Sequence, residues 1–346
     1  MSARLLVTAL VDPGSTIALS SAQWTALIAI ARAEQLIGSL AYRLDGLALP
    51  EPVENIMAAA RASAEQQRLR ALWEAEMARR ALAPLAVPVV LLKGTAFVAA
   101  GLDAGVGRSI GDLDILVPRA RIDEAEAALL GAGWERIKAD AYDDAYYRRW
   151  MHELPPLIHV ERDRMIDVHH TILPPTARPK PDAARMIAER IELGNGLAIL
   201  SPADIVIHAA AHLFADGDLA GGLRNLWDID RLCREFGERD EGSYLRLVEE
   251  AYAAKLGPHV LRALRLTHHL YATPVPAYHQ AFRLAVELTP SDRLFLHRLL
   301  ARDAWGRPIR SVTRFGFYVR SHALRMPPHL LARHLAIKWW KSRRSA

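Results

Sequence analysis

The sequence predicts an α/β (α+β) fold in which a small mixed sheet is flanked by helical regions at both ends of the chain. Residues 54–83 are rich in Ala, Glu, Arg and Leu, which favour a long helix. Short β-branched runs bounded by Pro and Gly follow and predict strands. From about residue 200 onward, Gly and Pro divide a series of helical segments. We therefore expect an N-terminal helical region over 1–85, a mixed-sheet core over 86–175 and a C-terminal helical domain over 176–346.

Two helices are predicted before the core. Apolar residues recur near a 3.6-residue spacing over residues 22–44, which is typical of a helix with one buried face. Ser20 or Ser21 could cap the start of this helix. Pro50 and Pro52 interrupt the pattern, and the second helix over 54–83 follows them.

The core is predicted to alternate strands with helices and to finish in a β-hairpin. The expected strands span residues 87–92, 113–117, 134–137, 156–160 and 165–169, and the expected helices span 95–100 and 121–131. In the C-terminal region, Ser201 followed by Pro202 is typical of a capped helix start.

Composition and charge restrict the classes of protein to which the chain can belong. The 346 residues carry a formal net charge of +5, a mild excess that suits an anionic substrate such as a nucleotide without requiring one. The single cysteine, Cys233, excludes an internal disulfide and a zinc site built from several cysteines. The longest uncharged apolar stretch, residues 81–92, is about half a membrane span and contains two prolines. We therefore expect a soluble, cytoplasmic protein without a transmembrane segment.

Asp112 and Asp114 are the first candidates for chemistry. Side chains two residues apart on a strand point to the same face, so the two carboxylates should lie side by side. Like charges this close disfavour joint ionisation, and a bound divalent cation removes that cost. Mg²⁺ prefers carboxylate oxygen, so the pair predicts a magnesium site. The simpler alternative is an exposed strand end with two solvated aspartates.

Two further segments add candidate residues. Lys93, Gly94 and Thr95 follow a predicted strand and begin a helix, where backbone amides, a lysine and a hydroxyl could approach phosphate oxygens. Asp167 lies between apolar residues in a later strand, and His169 shares its face. The simpler alternatives are an ordinary strand-to-helix turn and an edge strand with one solvated face.

Together these segments resemble the DNA polymerase beta nucleotidyltransferase superfamily and, more narrowly, a group of uncharacterised bacterial nucleotidyltransferase family proteins. The resemblance rests on residues 91–94, 108–117 and 166–169, and on a helical sequel that includes His208, His212 and residues 224–228. It covers roughly residues 20–240. The turn departs from the superfamily pattern, because Gly94 and Thr95 stand where Gly-Gly or Gly-Ser is usual.

The resemblance implies magnesium-dependent transfer of an NMP from an NTP such as ATP to a hydroxyl group, with release of pyrophosphate. Asp112, Asp114 and Asp167 would be the catalytic residues and would hold two Mg²⁺ ions, for which Mn²⁺ could substitute. The expected nucleotide-binding residues are Lys93, Gly94, Thr95, Arg108 and Gly111. The expected pocket residues are His169, His208 and His212.

The acceptor implied by the resemblance is a small molecule, a sugar or a peptide. Two alternatives stay open. One is a nucleotidyltransferase-like binding module without turnover. The other is an RNA-directed, toxin-like nucleotidyltransferase, for which the basic pI permits a nucleic-acid partner that we do not favour.

Several weaker signals have simpler explanations. His208 and His212 have a spacing that can bind zinc, but Ala209 stands where a metalloprotease carries its glutamate. Asp228 and Asp230 are expected to cap or solvate a helix. The basic, tryptophan-containing C-terminus over residues 333–344 is expected to be a solvated tail, with an anionic membrane or a nucleic acid as alternative partners.

Overall fold

The computed structural model describes residues 2–137, 141–276 and 286–325, together with residue 331. The predicted α/β architecture with flanking helices is confirmed. The helices that precede the sheet are α1 Arg4–Val11, α2 Ser21–Ala33, α3 Ile37–Arg43 and α4 Glu51–Leu82. Those that follow its first strand are α5 Lys93–Ala99, α6 Ile122–Gly131, α7 Ala141–Trp150, α8 Ala183–Ala188, α9 Pro202–Ala211, α10 Gly222–Arg239, α11 Ser243–Ala253 and α12 Gly257–Tyr271. Two more helices, Pro290–Leu299 and Ser311–Arg325, complete the described chain.

A mixed sheet of seven strands runs through the described residues in the order β3-β4-β5-β2-β1-β7-β6. The strands are β1 Val90–Leu91, β2 Leu113–Leu116, β3 Trp134–Arg136, β4 Leu157–His159, β5 Met165–His169, β6 Ile191–Glu192 and β7 Ala198–Ile199. β2 runs parallel to β5 and β1 runs parallel to β7, whereas the other neighbouring pairs are antiparallel. Every residue of β1 and β2 is buried, as expected for interior strands that are covered on both faces.

The helices before and after the sheet in the sequence pack differently: α4 contacts the sheet, whereas α9–α12 form a layer of their own. α4 packs against α3, α5, α6 and β2, and its buried alanines allow these elements to approach closely. α9, α10, α11 and α12 pack against one another. Within the described part of the chain, none of the helices combines the length and apolar character that crossing a bilayer requires.

The N-terminal helices confirm one prediction and correct another. Ser20 caps α2, since its hydroxyl accepts from the Gln23 amide and Gln23 bonds back to the Ser20 amide. The single helix predicted over 22–44 is wrong, because the chain breaks between α2 and α3. Gln35 adopts φ 55°, which no α-helical residue can keep, and the buried Glu34 bonds to Arg302 Nε at 2.6 Å. The apolar residues keep a helical spacing on both sides of the break, so this spacing could not indicate where α2 ends.

The sheet contains two strands that the sequence analysis did not predict. β6 and β7 lie within the segment that was expected to be helical, and β7 joins the sheet beside β1. Each has only two residues, which is too short to show a period of two. The explanation of Asp167 as part of an edge strand is wrong, because β5 lies between β4 and β2. The basic C-terminus predicted as a solvated tail lies outside the described residues.

Gly107 permits a close approach between two backbones. A Cβ atom at Gly107 would lie 2.5 Å from the Gly38 carbonyl carbon and 2.5 Å from the Ser39 amide nitrogen. Gly107 also has φ +68°. The loop that leads into β2 can therefore rest against α3 only when both contacting residues are glycines.

We predict that Gly107→Ala destabilises the protein much more than Gly101→Ala. Gly101 has nearly the same φ, +65°, but a Cβ there would meet no described atom within 4 Å. Gly101→Ala should therefore cost about 1 kcal/mol, the penalty of the left-handed backbone alone. Gly107→Ala should cost at least about 3 kcal/mol, because backbone atoms must move as well. Urea unfolding of both variants checks this, and equal losses would contradict the close approach.

Candidate active site

The parallel pairing of β2 with β5 places two carboxylates beside each other. Asp114 is directly opposite Asp167 in this register, and Asp112 lies just before β2. One carboxylate oxygen from each of the three aspartates lies within 4.8 Å of the others. The structure thus brings together the three acids that the sequence analysis selected, and their oxygens are close enough to share a cation.

Asp114 is held in its ionised form by two neighbours. Its Oδ1 accepts hydrogen bonds from Lys93 Nζ at 2.6 Å and from His169 Nε2 at 3.0 Å. Burial by itself would raise the pKa of Asp114, but the charge of Lys93 and the hydrogen bond from His169 outweigh it and hold that pKa well below its usual range. Asp114 is therefore a fixed negative charge, although only 3% of its surface is exposed.

Asp167 is in the opposite electrostatic situation. Burial, and then the negative charges of Glu153 and Asp114, raise its pKa to about 7. Its Oδ1 atom is buried and has no hydrogen-bond partner among the described residues. A buried oxygen without a donor is costly, and a divalent cation would both satisfy it and relieve the repulsion. The three carboxylates therefore fit Mg²⁺, a hard cation that takes oxygen ligands.

The turn at the start of α5 differs from the expected phosphate-binding turn, because the space beside Gly94 is occupied by Arg108. Lys93 adopts φ 48°, an unusual conformation for a residue with a side chain, and it directs its amine to Asp114. A Cβ at Gly94 would lie 1.8 Å from a terminal nitrogen of Arg108, so this glycine makes room for a guanidinium group. Thr95 is buried, with 1% of its surface exposed. Gly111, in contrast, has no described atom within 4 Å of where a Cβ would be.

Arg108 is anchored by a carboxylate from the C-terminal helices. Its Nε donates to Asp228 Oδ2 at 3.0 Å, and its guanidinium carbon lies 5.3 Å from the centre of the Phe97 ring. Both members of this ion pair are buried. The expectation that Asp228 and Asp230 cap or solvate a helix is wrong, since both are buried in the middle of α10 and form ion pairs.

His208 and His212 line a small cavity beside the acid cluster. The cavity has a volume of about 40 Å³ and is also lined by Lys93, Arg108, Leu92, Phe97, Ile205, Arg224, Asn225 and Asp228. Burial, and then the charge of Lys93, lower the pKa of His212 to about 3 and hold that of His208 well below its usual value. Both histidines are therefore neutral at physiological pH, and each ring can donate one hydrogen bond and accept another. His212 begins a π-helical turn, His212–Asp216, that ends α9.

Arg224 adds a weakly compensated positive charge to this cavity. Burial, followed by repulsion from Arg108, lowers its pKa to about 10. It contacts the Asp228 carboxylate only at 3.9 Å, and among the described residues its buried Nε has no hydrogen-bond partner. The cavity thus presents cationic groups next to the acid cluster, which suits an anion.

Comparison with families of known proteins shows to which group the chain belongs. A family model described as an uncharacterised nucleotidyltransferase matches residues 20–272. The chain belongs to this nucleotidyltransferase family. The matched range contains the three acids, the turn at Lys93 and the cavity with His208 and His212. No curated protein matches the chain.

The sequence analysis missed two residues that lie around the acid cluster of this family member. Gln67 of α4 accepts hydrogen bonds from the Ser109 hydroxyl at 2.9 Å and the Ile110 amide at 3.0 Å, and so holds the loop that precedes Asp112. Glu153 pairs with His169 in an isolated antiparallel bridge beside β5. Gln67 is one of many polar residues in a long helix, and no sequence motif distinguishes it from the others. Glu153 follows His152 directly, and this pair of residue types that bind metals could have been selected from the sequence.

We predict that Asp167→Asn stabilises the metal-free protein above neutral pH. The folded pKa is about 7 and the ordinary value is 3.8, so folded Asp167 binds a proton that the unfolded chain has released between these values. Stability therefore falls as the pH rises from about 4 to about 7 and stays lower above it. In EDTA at about pH 8 the variant should melt on the order of 2 °C higher than the natural chain, with little difference near pH 4.

The control for this prediction is Asp163→Asn, which removes the same charge from the exposed turn of the β4–β5 hairpin. It should leave the pH dependence of the melting temperature unchanged. A variant at Asp167 that is less stable than the natural chain at every pH would contradict the repulsion described above.

Proposed function

We propose that this protein transfers an NMP from an NTP to a hydroxyl group of an acceptor, at the carboxylates of Asp112, Asp114 and Asp167. The convergence of these three oxygens on adjacent parallel strands is the observation that supports the proposal most directly. Such a cluster in a member of a nucleotidyltransferase family has the donor set that Mg²⁺ requires. In the reaction, the acceptor oxygen bonds to the α-phosphorus, the bond from that phosphorus to the bridging oxygen breaks, and pyrophosphate leaves.

The three aspartates would hold the metal, with Mn²⁺ as a substitute. When bound, the ions would neutralise charge on the phosphates and lower the pKa of the attacking hydroxyl. Asp114 is prepared for this role because Lys93 and His169 keep it ionised. Asp167 is the carboxylate with a pKa near neutrality, so it must lose its proton before it can bind a cation.

Positive charge beside the acids would receive the phosphates. Lys93 is the best placed of the predicted nucleotide contacts, because its amine already lies against Asp114. Arg108 and Gly94 act on this site together, since the glycine makes room for the guanidinium that Asp228 orients. We propose that Gly111 contributes to the same surface and that Thr95, which is buried in α5, supports the turn from within.

We propose that the cavity with His208 and His212 receives part of the acceptor or of the nucleotide. Neutral imidazoles suit a substrate with hydroxyl groups, because each ring offers one donor and one acceptor. At about 40 Å³ the cavity is far smaller than a complete ligand pocket, so it would admit only one substituent of the substrate.

We predict that NTP binding depends on Mg²⁺ and on Asp112. Calorimetric titration of each NTP should show binding in Mg²⁺ that EDTA removes. Asp112→Asn should weaken Mg²⁺-dependent binding by about 10-fold or more, because a charged carboxylate ligand is replaced by a neutral amide. Asp163→Asn is the matched control, since it makes the same chemical change on the exposed hairpin turn and should bind as the natural chain does.

The outcomes separate the candidate functions. Binding that is equally strong in Asp112→Asn would place the nucleotide elsewhere and contradict the proposal. Binding without release of pyrophosphate, across a panel of small hydroxyl acceptors and RNA, would favour a binding module. Extension of RNA alone would favour the RNA-directed alternative.

A further inference from the structure

We propose that His152, Glu153 and His169 form a second metal site, beside the three aspartates and distinct from them. One ligand atom from each of these residues lies within 4.8 Å of the others. The site joins two nitrogen donors to one carboxylate oxygen, a set that suits a borderline divalent cation such as Zn²⁺, Fe²⁺ or Co²⁺ rather than Mg²⁺. The inference concerns this cluster alone and does not require that the aspartates transfer a nucleotide.

The distances within the cluster are those of ligands around an ion rather than of hydrogen-bonded pairs. Glu153 Oε2 lies 3.6 Å from His152 Nε2 and 3.5 Å from His169 Nδ1. Protein hydrogen bonds between nitrogen and oxygen are shorter, about 2.7–3.2 Å. Two ligands of a tetrahedral ion, each about 2.0–2.2 Å from the metal, are separated by about 3.4 Å. The cluster therefore has room for a cation between its donor atoms.

The hydrogen bonding of His169 gives an independent reason for a cation. His169 Nε2 forms the 3.0 Å hydrogen bond with Asp114 Oδ1. The other ring nitrogen, Nδ1, faces the Glu153 carboxylate at 3.5 Å. Nδ1 is buried and has no hydrogen-bond partner among the described residues, in a side chain that is 1% exposed. A cation at this point would bind both the buried nitrogen and the carboxylate.

A proton on His169 Nδ1 is the rival to a metal ion. A proton there would make Nδ1 a donor, and Nδ1 and the Glu153 carboxylate should then lie at hydrogen-bond distance. The contact on the Glu153 side is 3.5 Å, whereas that on the Asp114 side is 3.0 Å. His152 adds a second nitrogen donor, its ring centre 5.2 Å from that of His169, which a proton would not need.

The fold arranges these ligands through backbone pairing. Residues 152–154 run antiparallel beside β5, with Glu153 opposite His169 and the Leu154 amide bonded to the Val168 carbonyl at 2.9 Å. The His170 amide donates to the His152 carbonyl at 2.9 Å. His169 would then link both sites, with Nδ1 on the new metal and Nε2 on Asp114, and a carboxylate in that position commonly orients a metal-bound histidine. A metal at this cluster would position Asp114.

The experiment is titration of the metal-free full chain with Co²⁺, followed by visible absorption in excess Mg²⁺. Mg²⁺ occupies oxygen sites, and tetrahedral Co²⁺ at a nitrogen-containing site absorbs far more strongly in the visible than octahedral Co²⁺ with oxygen ligands. We expect a single saturating class of bands. His152→Ala should weaken Co²⁺ binding by about 10-fold or more, because a nitrogen ligand is lost, and Glu153→Gln should weaken it as well. Glu153→Gln keeps the size of the side chain and covers the case in which His152→Ala does not fold.

Two further variants are controls. His170→Ala removes a buried neighbouring histidine that bonds to Arg119 and lies outside the cluster, so it should keep the bands. Asp112→Asn should also keep the bands, and thus separates this site from the proposed nucleotide site. Absence of bands in the natural chain, bands unchanged in both His152→Ala and Glu153→Gln, or bands lost in Asp112→Asn but kept in His152→Ala would overturn the proposal.

Discussion

The parallel register between β2 and β5 is the constraint on which the site depends. It sets Asp114 opposite Asp167 in the interior of the sheet, where neither carboxylate can be fully solvated. Two like charges at this spacing, one buried and one half-buried, destabilise the fold unless something compensates them. Most of the polar architecture around the strands can be understood as that compensation.

The compensation is unequal, and the inequality gives the two aspartates different properties. Lys93 and His169 both donate to the same oxygen of Asp114, so that acid stays charged. Among the described residues Asp167 has no such donor on its buried Oδ1, and its pKa is raised to about 7. One carboxylate is therefore a permanent anchor and the other is sensitive to pH and to cations. A pair of acids driven apart in this way is common where a protein binds a metal or moves a proton.

The parts of the fold that could be predicted are those that local sequence determines. The acid pattern of β2, the long helix α4 and the Ser20 cap follow from spacing and residue type within a few positions. The strands β6 and β7 could not be found, because two residues show no period and their pairing with β1 is a tertiary contact. The same distinction between local motifs and tertiary contacts applies to the site. The aspartates were found by motif, whereas Gln67 and Glu153 act through contacts with residues that are distant in sequence or across a strand.

Gly94 shows why a motif can be located correctly and explained incompletely. Beside a lysine and a helix start, a glycine favours the approach of phosphate to the backbone. In the structure the space above Gly94 is filled by Arg108, whose position depends on Asp228 in α10. The glycine thus serves a contact between the sheet core and the C-terminal helices, and a side chain there would displace the guanidinium from its carboxylate. A buried cation without its partner destabilises a fold more than the intact ion pair does. The turn at Gly94, the position of Arg108 and the position of α10 therefore depend on one another.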